Sequence, residues 1–350
     1  MNLLVTGGAG FIGSHIAEYY AQQGHKVVLL DNLSRARLLQ KATRHARYNW
    51  HYLSCYRNIE LVEGDIRDLT RVRSSAEGMD VIFHAAAQTA VTVSVSDPKL
   101  DFVNNAVGTF NVLEAARCSV KQPAVIFCST NKVYGDRVNH VGIVKESNRY
   151  QFEKPYTKGI PETLGVDLCE HSPYGCSKLV GDLYMQDYAK VYGLKIGVFR
   201  MSCIYGPRQF GVEDQGWVAW LAIATTLGRP ITIYGDGLQV RDVLYIDDLV
   251  RLFDAFIQSE IAYGVYNVGG GPQNTLSILE LLDILEHLTE RRSPVVFADW
   301  RPSDQKVYVS DIRKVKQELG WQPQISPQQG VKRLLKWIKE EKRILEEALA

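Results

Sequence analysis

Tyr174 stands four residues before Lys178 in the stretch "SPYGCSK", residues 172–178, which runs on into a helical pattern. Side chains at i and i+4 share one helical face. A phenol ionises only at about pH 10, so alone it is a poor base at neutral pH, and a neighbouring cation favours its phenolate. Such a pair can remove a hydroxyl proton if some other group takes the hydrogen left on the carbon. "CSTNKVYG", residues 128–135, closes an earlier strand-like run, and Thr130 in it offers a hydroxyl to the same oxygen. Tyr-x-x-x-Lys is a common chance pattern, so the surrounding elements decide its weight.

The first of those elements is "LLVTGGAGFIGSHIA", residues 3–17, a strand, a glycine turn and the start of a helix. Gly7, Gly10 and Gly13 let the backbone turn tightly and a diphosphate approach the helix N-terminus, with Phe11 and Ile12 between them. Asp31 ends the second strand in "VVLLDNLS", placed to accept hydrogen bonds from a ribose diol, with Asn32 and Ser34 beside it. A carboxylate there favours NAD over NADP, although Arg35 could offset the repulsion of a 2′-phosphate. "EGDIRD" supplies Asp65 and Ile66, a polar atom and an apolar wall for an adenine ring. "HAAAQ" ends the fourth strand in small residues, Ala85, Ala86 and Ala87 with Gln88, that allow close approach. The pattern reads as an NAD site, which supplies the hydride acceptor that Tyr174 and Lys178 require. Lys178 can then also bind the nicotinamide ribose. A Gly-Lys-Ser/Thr phosphate loop is absent.

Strand-like runs alternate with amphipathic helical ones through the first half: "NLLVTG", "KVVLLD", "IELVEGD", "DVIFHAA", "AVIFCST" and "KIGVFRMS". That alternation predicts a doubly wound parallel sheet of Rossmann type. After about residue 200 the elements shorten, as expected of a smaller α/β region, and "RDVLYIDDLVRLFDAFIQ" reads as a strand and helix returning to the main sheet. Residues 35–57, basic and aromatic, read as a solvated helix before the third strand, with nucleic-acid contact as the less favoured reading. The 350 residues carry 40 basic and 39 acidic side chains, a balance that argues against nucleic-acid or anionic-membrane partners. No apolar run is long enough for a transmembrane helix, and the N-terminus does not read as a signal peptide. Six cysteines without a CxxC pair suggest free thiols, no metal site and a cytoplasmic protein.

Together these residues resemble the extended short-chain dehydrogenase/reductases, in the NAD-dependent sugar-nucleotide epimerase/dehydratase family, over nearly the whole chain. "NAVGT", Asn105 to Thr109, resembles the family's Asn-x-x-Gly-Thr signature. The resemblance implies a catalytic trio of Thr130, Tyr174 and Lys178, with Asn105 and Met201 near the cofactor. "QVRDVLYIDD" and "RPSDQKVYVSDIRKVKQELGW" resemble the strand and closing block that supply diphosphate-binding arginines, here Arg241 and Arg301, with Asp304 beside the latter. It also implies a dinucleotide-binding domain over 1–199 plus 241–265, a sugar-nucleotide domain over 200–240 plus 266–350, and a homodimer or homotetramer.

Departures narrow the activity. Family dehydratases follow the threonine with an Asp-Glu pair; this chain has Asn131 and Lys132, and an amide cannot protonate a leaving hydroxyl. "RMSCIYG" puts Cys203 where the family usually has asparagine, implying an altered pocket; the cysteine–lysine pair of 3,5-epimerising members is not matched. "STNKVYGD", "HSPYGCSKLVGDLYMQDYA", "YGPRQFGVEDQGW" and "GLQVRDVL" are similar to the branch that inverts C2 of a CDP-linked hexose. On that branch tightly held NAD would be reduced and reoxidised in each turnover. Gln209, Phe210 and Trp217 are candidates for base stacking or hydroxyl contacts, with core packing the competing reading of Trp217. His171 reads as a turn or cap residue. Spacing alone does not choose C2 over C4, so a 4-epimerase of a UDP- or GDP-sugar stays open, as does, more remotely, a non-catalytic dinucleotide-binding regulator.

Overall fold

The structure, a computed structural model, describes residues 1–35, 47–301 and 304–349. Its strands are, in chain order, β1 (Asn2–Thr6), β2 (Lys26–Asp31), β3 (Ile59–Glu63), β4 (Val81–His84), β5 (Ala124–Thr130), β6 (Ile143–Lys145) and β7 (Tyr150–Phe152). There follow β8 (Ile196–Met201), β9 (Cys203–Tyr205), β10 (Ile231–Tyr234), β11 (Val240–Tyr245), β12 (Tyr263–Val268), β13 (Thr275–Ser277), β14 (Val295–Ala298) and β15 (Val307–Tyr308). Contacts divide the chain into two compact units. The first comprises residues 1–133, 172–200 and 250–266; the second comprises 134–171, 201–249 and 267–350.

The first unit is built on a parallel seven-stranded sheet in the order β12-β8-β5-β4-β1-β2-β3. Leu3, Leu4 and Val5 of β1 are fully buried, so both sheet faces are covered and the strand needs no polar alternation. Burying each such side chain is worth about 1.5–3 kcal/mol. Register pairs Thr6 with Leu30 on one side and with His84 on the other, which aligns the C-terminal ends of β1, β2 and β4. Strand order reverses between β1 and β4, the place where open α/β sheets bind ligands. Among the described residues no helix is long and apolar enough to cross a membrane.

Three helical segments serve that edge. The Phe11–Gln22 helix leaves the glycine turn. A π-helical turn at Val103–Val107 carries Asn105 and leads into the Gly108–Cys118 helix; such turns often mark functional sites. The Pro173–Tyr192 helix starts at Ser172, whose hydroxyl accepts from the Gly175 N–H at 3.2 Å, a cap worth about 1 kcal/mol, and stops at left-handed Gly193. Its buried face carries Tyr174, Ser177, Lys178, Gly181, Asp182 and Met185. Gly181 lets the helix lie close, because a Cβ there would stand 2.9 Å from the Phe127 ring.

In the second unit β11 pairs with β9, β13 and β15, while β10 and β14 form a parallel pair and β6 and β7 an antiparallel one. Two expectations change here. The strand of "RDVLYIDDLVRLFDAFIQ" does not return to the main sheet: β11 lies in the second unit's own sheet, and only from Val250 onward does the following helix belong to the first unit. Residues 134–171, expected in the first unit, belong to the second, where the Tyr134 hydroxyl donates to Asn267 Oδ1 and the Tyr150 N–H to the Leu238 carbonyl. The basic stretch 35–57 falls outside the described residues between 36 and 46; beyond them it forms a short helix, Tyr48–Leu53.

Candidate active site

Gly7 sits at φ 70°, and a Cβ on it would come within 2.7 Å of the Ala86 amide. A Cβ on Gly13 would lie 2.2 Å from the Gly7 carbonyl. Gly10, at φ −71°, precedes the Phe11–Gln22 helix and, as its N-cap residue, offers no side chain to cap the first N–H groups. Phe11 and Ile12 form its first turn. The residues fit a dinucleotide: a backbone cradle that side chains would fill, and helix N–H groups suited to a phosphate. Asp31, at the end of β2, accepts from the Ala9 N–H at 2.9 Å and the Leu33 N–H at 2.7 Å, one bond per oxygen. Each oxygen keeps acceptor capacity for a ribose hydroxyl. Burial pushes this carboxyl's pKa up, against the pull of those two bonds.

Asn32 donates to Asp65 at 2.8 Å and accepts from the Ser34 N–H at 3.1 Å. Arg67, which the motif reading passed over, forks onto both Asp65 oxygens at 2.9 and 2.6 Å. Burial works to raise Asp65, but the bonds from Arg67 and Asn32 outweigh it and hold the carboxyl at about 2. The Ile66 side chain packs against Gly108. Arg35 is half-buried four residues beyond Asp31.

The Ala85–Gln88 turn is held from below. The Ala85 N–H donates to the Thr6 carbonyl at 3.2 Å. Asn105 accepts from the Gln88 N–H at 2.8 Å and donates to the Gln88 carbonyl at 2.9 Å. Both side chains are buried, and Gln88 and Asn105, expected near the cofactor, shape the strand end on which Ala86 and Ala87 lie. Beneath them His84 is fully buried between Thr6 Oγ1 at 2.8 Å and Thr109 Oγ1 at 2.9 Å. Thr109 donates its proton to the Asn105 carbonyl at 2.6 Å, so it accepts from His84 Nε2–H, and His84 Nδ1 accepts from Thr6. Burial first, and the Lys178 charge second, push His84 down to about 3.

Thr130 ends β5, and its hydroxyl bonds the Tyr174 phenol. Lys178 is buried with its Nζ 4.1 Å from the centre of the Phe127 ring. The structure thus brings Thr130, Tyr174 and Lys178 together in the first unit. Their electrostatics run against the simple expectation that the lysine depresses the phenol. Burial pushes Tyr174 up to about 12, with Asp101 and Cys128 adding to it and Thr130 opposing it. Burial also pushes Lys178 down to about 8. Desolvation disfavours both charged forms, and the ammonium lies over the Phe127 ring. Asn131 is buried and Lys132 half-buried just after Thr130; the Lys132 N–H donates to Thr130 Oγ1 at 3.2 Å. One turn beyond Lys178, Asp182 is fully buried, forked by Arg200 at 3.0 and 2.9 Å and bonded by Ser129 at 2.6 Å.

In the second unit, Arg241 on β11 donates to Asp304 at 2.9 Å and to the Val240 carbonyl at 2.9 Å. Arg301 pairs with Asp214 at 2.8 Å and lies 4.0 Å over the Tyr234 ring. Both expected diphosphate clamps are therefore held by carboxylates. Cys203 accepts the Trp217 indole N–H at 3.2 Å. Gln209 donates to the Ile204 carbonyl at 3.0 Å, and its own carbonyl oxygen is buried with no partner among the described residues. Phe210, expected as a stacking surface, packs edge-on against Trp337 at 5.5 Å and belongs to the core. His171 Nδ1 lies 3.2 Å from the Cys169 carbonyl, immediately before the capping Ser172. Met201, at the end of β8, is half-buried in this unit. Among the described residues no group of three His, Cys, Asp or Glu could hold a metal ion.

Comparison with known proteins agrees with this architecture. Residues 3–269 match the NAD dependent epimerase/dehydratase family. The chain is 40% identical to CDP-paratose 2-epimerase of Salmonella typhi over 96% of its own length and 99% of the relative's. It is 32% identical to UDP-glucuronate 4-epimerase of Thermodesulfobacterium geofontis, covering 96% of each. Among solved structures, UDP-glucuronic acid 4-epimerase of Bacillus cereus, in complex with UDP-glucuronic acid and NAD, superimposes with a TM-score of 0.79 at 29% identity, covering 97% of this chain and 99% of that one. A seven-stranded parallel sheet, the glycine cradle and a match over residues 3–269 lead to one conclusion: the chain belongs to the NAD dependent epimerase/dehydratase family, and its cofactor is NAD.

Proposed function

We propose that this sugar-nucleotide epimerase inverts C2 of a CDP-linked hexose. The observation that carries the choice of carbon and base is the 40% identity to a CDP-paratose 2-epimerase across nearly the whole of both chains. Asn131 and Lys132 after Thr130, in place of an Asp-Glu pair, support epimerisation over loss of water, since the Asn131 amide cannot protonate a leaving hydroxyl. Gly7, Gly10, Gly13 and Asp31 would hold the cofactor, which when bound supplies a hydride acceptor beside a permanent positive charge. Tyr174 takes the C2 hydroxyl proton while Thr130 bonds the same oxygen, and Lys178 stabilises the phenolate. The 2-keto sugar turns in place. Arg241 and Arg301 exchange Asp304 and Asp214 for the diphosphate and keep the nucleotide fixed. Tyr174 then returns the proton, leaving no net redox change.

In this reading the first unit serves the cofactor and the second the sugar nucleotide. Apolar side chains on three helices of the first unit, Phe102 on Pro98–Phe102, Phe110 on Gly108–Cys118, and Leu183, Tyr184 and Val191 on Pro173–Tyr192, are 41–61% exposed. Phe110 and Tyr184 touch, their ring centres 6.0 Å apart, so apolar surface bridges the Gly108–Cys118 and Pro173–Tyr192 helices and suits a second copy of the chain. Six free thiols accord with a reducing cytoplasm. Identity of about a third to UDP-sugar 4-epimerases supports the alternative of C4 inversion on a UDP-sugar. Incubation with CDP-paratose, CDP-glucose, UDP-glucose and GDP-mannose, followed by carbon-resolved NMR, separates the two. Inversion at C2 of a CDP-sugar is expected; inversion at C4, or turnover of UDP-glucose alone, overturns the proposal.

A further inference from the structure

Asp101 has no place in the reaction described above, yet it is 1% exposed, and burial pushes its carboxyl's pKa up against the pull of bonds from Ser177 and Gln88 and of the Lys178 charge. Its two oxygens accept three bonds: from Gln88 Nε2 at 2.8 Å, Asn105 Nδ2 at 3.2 Å and Ser177 Oγ at 2.5 Å. Ser177 lies between Tyr174 and Lys178 on their helix, and its hydroxyl also accepts from Asn105 at 3.0 Å. All three donors to Asp101 are neutral. Lys178, 3% exposed, forms no ion pair among the described residues and rests over the Phe127 ring. The other buried carboxylate nearby, Asp182, is matched by Arg200. Cys128 is driven up to about 12 by burial and His84 down to about 3, so both stay neutral near pH 7. One buried negative charge and one buried positive charge remain, and an unmatched charge in the interior costs several kcal/mol.

We propose that Asp101 is the counter-charge of Lys178 and a positioning residue for the Tyr174–Lys178 pair, fixing through Ser177 the helical turn that carries both. Asp101 touches neither substrate nor cofactor in this assignment; it acts through Ser177 and through its field. The assignment rests on the proposed roles of Tyr174 and Lys178, but its first test does not depend on turnover.

Carboxyl-carbon NMR of the full-length enzyme, with its own NAD, follows the titration of Asp101 in the native protein and in Lys178→Met. Removing the ammonium should raise the Asp101 midpoint by about one pH unit or more, the effect of one nearby buried charge. An unchanged midpoint overturns the proposal. The second test compares pH profiles of kcat for Asp101→Asn and Ser177→Ala on CDP-paratose. Loss of the carboxylate makes the phenol easier to ionise, so the acid limb should move down by about one unit in Asp101→Asn. In Ser177→Ala the charge remains, so kcat should fall with the limb in place. A limb that stays put in Asp101→Asn contradicts the counter-charge. If Asp101→Asn does not fold, the Lys178→Met titration decides alone. Absence of turnover on CDP-paratose would strike at the functional reading and leave the carboxyl titration standing.

Discussion

His84 should make this protein sensitive to acid well above the carboxylate range. The ring is fully buried, donates through Nε2 to Thr109 and accepts at Nδ1 from Thr6, so a second proton has no partner to meet. Its pKa falls from an ordinary 6.5 to about 3. Between those values the unfolded chain binds a proton that the folded one does not, so stability drops as pH falls from 6.5 toward 3. At pH 5 the gap is about 1.5 units, or roughly 2 kcal/mol at 1.36 kcal/mol per unit. That is a sizeable part of the 5–15 kcal/mol typical of a folded protein. Urea unfolding at pH 7 and pH 5 measures it directly, and the non-titrating His84→Gln should lose about 2 kcal/mol less than the native protein over that interval. Equal losses in both would refute the reasoning. So would an NMR titration of His84 in the native protein with its midpoint near 6.5.

Three further outcomes follow from the same geometry. Tyr174→Phe should cut kcat by 10²-fold or more while the purified protein still carries NAD, checked by steady-state assay and cofactor content; an undiminished kcat removes the phenol from the reaction. Gly7→Ala places a Cβ 2.7 Å from a backbone amide and adds about 1–2 kcal/mol of left-handed strain, so calorimetry should show weakened NAD binding, and unchanged affinity would contradict the cradle. Arg200→Met strands the Asp182 charge in the interior and should cost about 3–5 kcal/mol in urea unfolding, most of it regained when Asp182→Asn is added. A double variant as unstable as the single one would show that the pair is not the cause.

Much of the first unit was legible in the chain because its central strands, β1, β4, β5 and β8, are buried on both faces. An apolar run such as "NLLVTG" ending in glycine has few other structures open to it, and β1 to β5 and β8 all lie where such runs occur. Gly7 and Asp31 were legible for a related reason: the turn and the strand end each demand one residue type. What escaped was whatever depends on partners distant in sequence. Asp101 meets Ser177 across 76 positions and Arg200 meets Asp182 across 18, and no local spacing announces either contact. Residues 134–171 carry no clear periodicity, so their attachment to the second unit through Asn267 and Leu238 had no signal in the sequence. Phe210 read as a candidate for base stacking or hydroxyl contacts, yet Trp337, far along the chain, packs on it. The spacing of Tyr174 and Lys178 showed that they share a face but not how deeply that face is buried, and depth is what turns both pKa values against the charged forms.

The central claim concerns one hydrogen, and one measurement follows it. CDP-paratose carrying deuterium at C2 is converted in ordinary water, and the product is examined for label and stereochemistry together. The account predicts inverted C2 that keeps its deuterium, because the hydrogen never leaves the enclosed site. Deuterium washed out into water, or inversion at any other carbon, would contradict it.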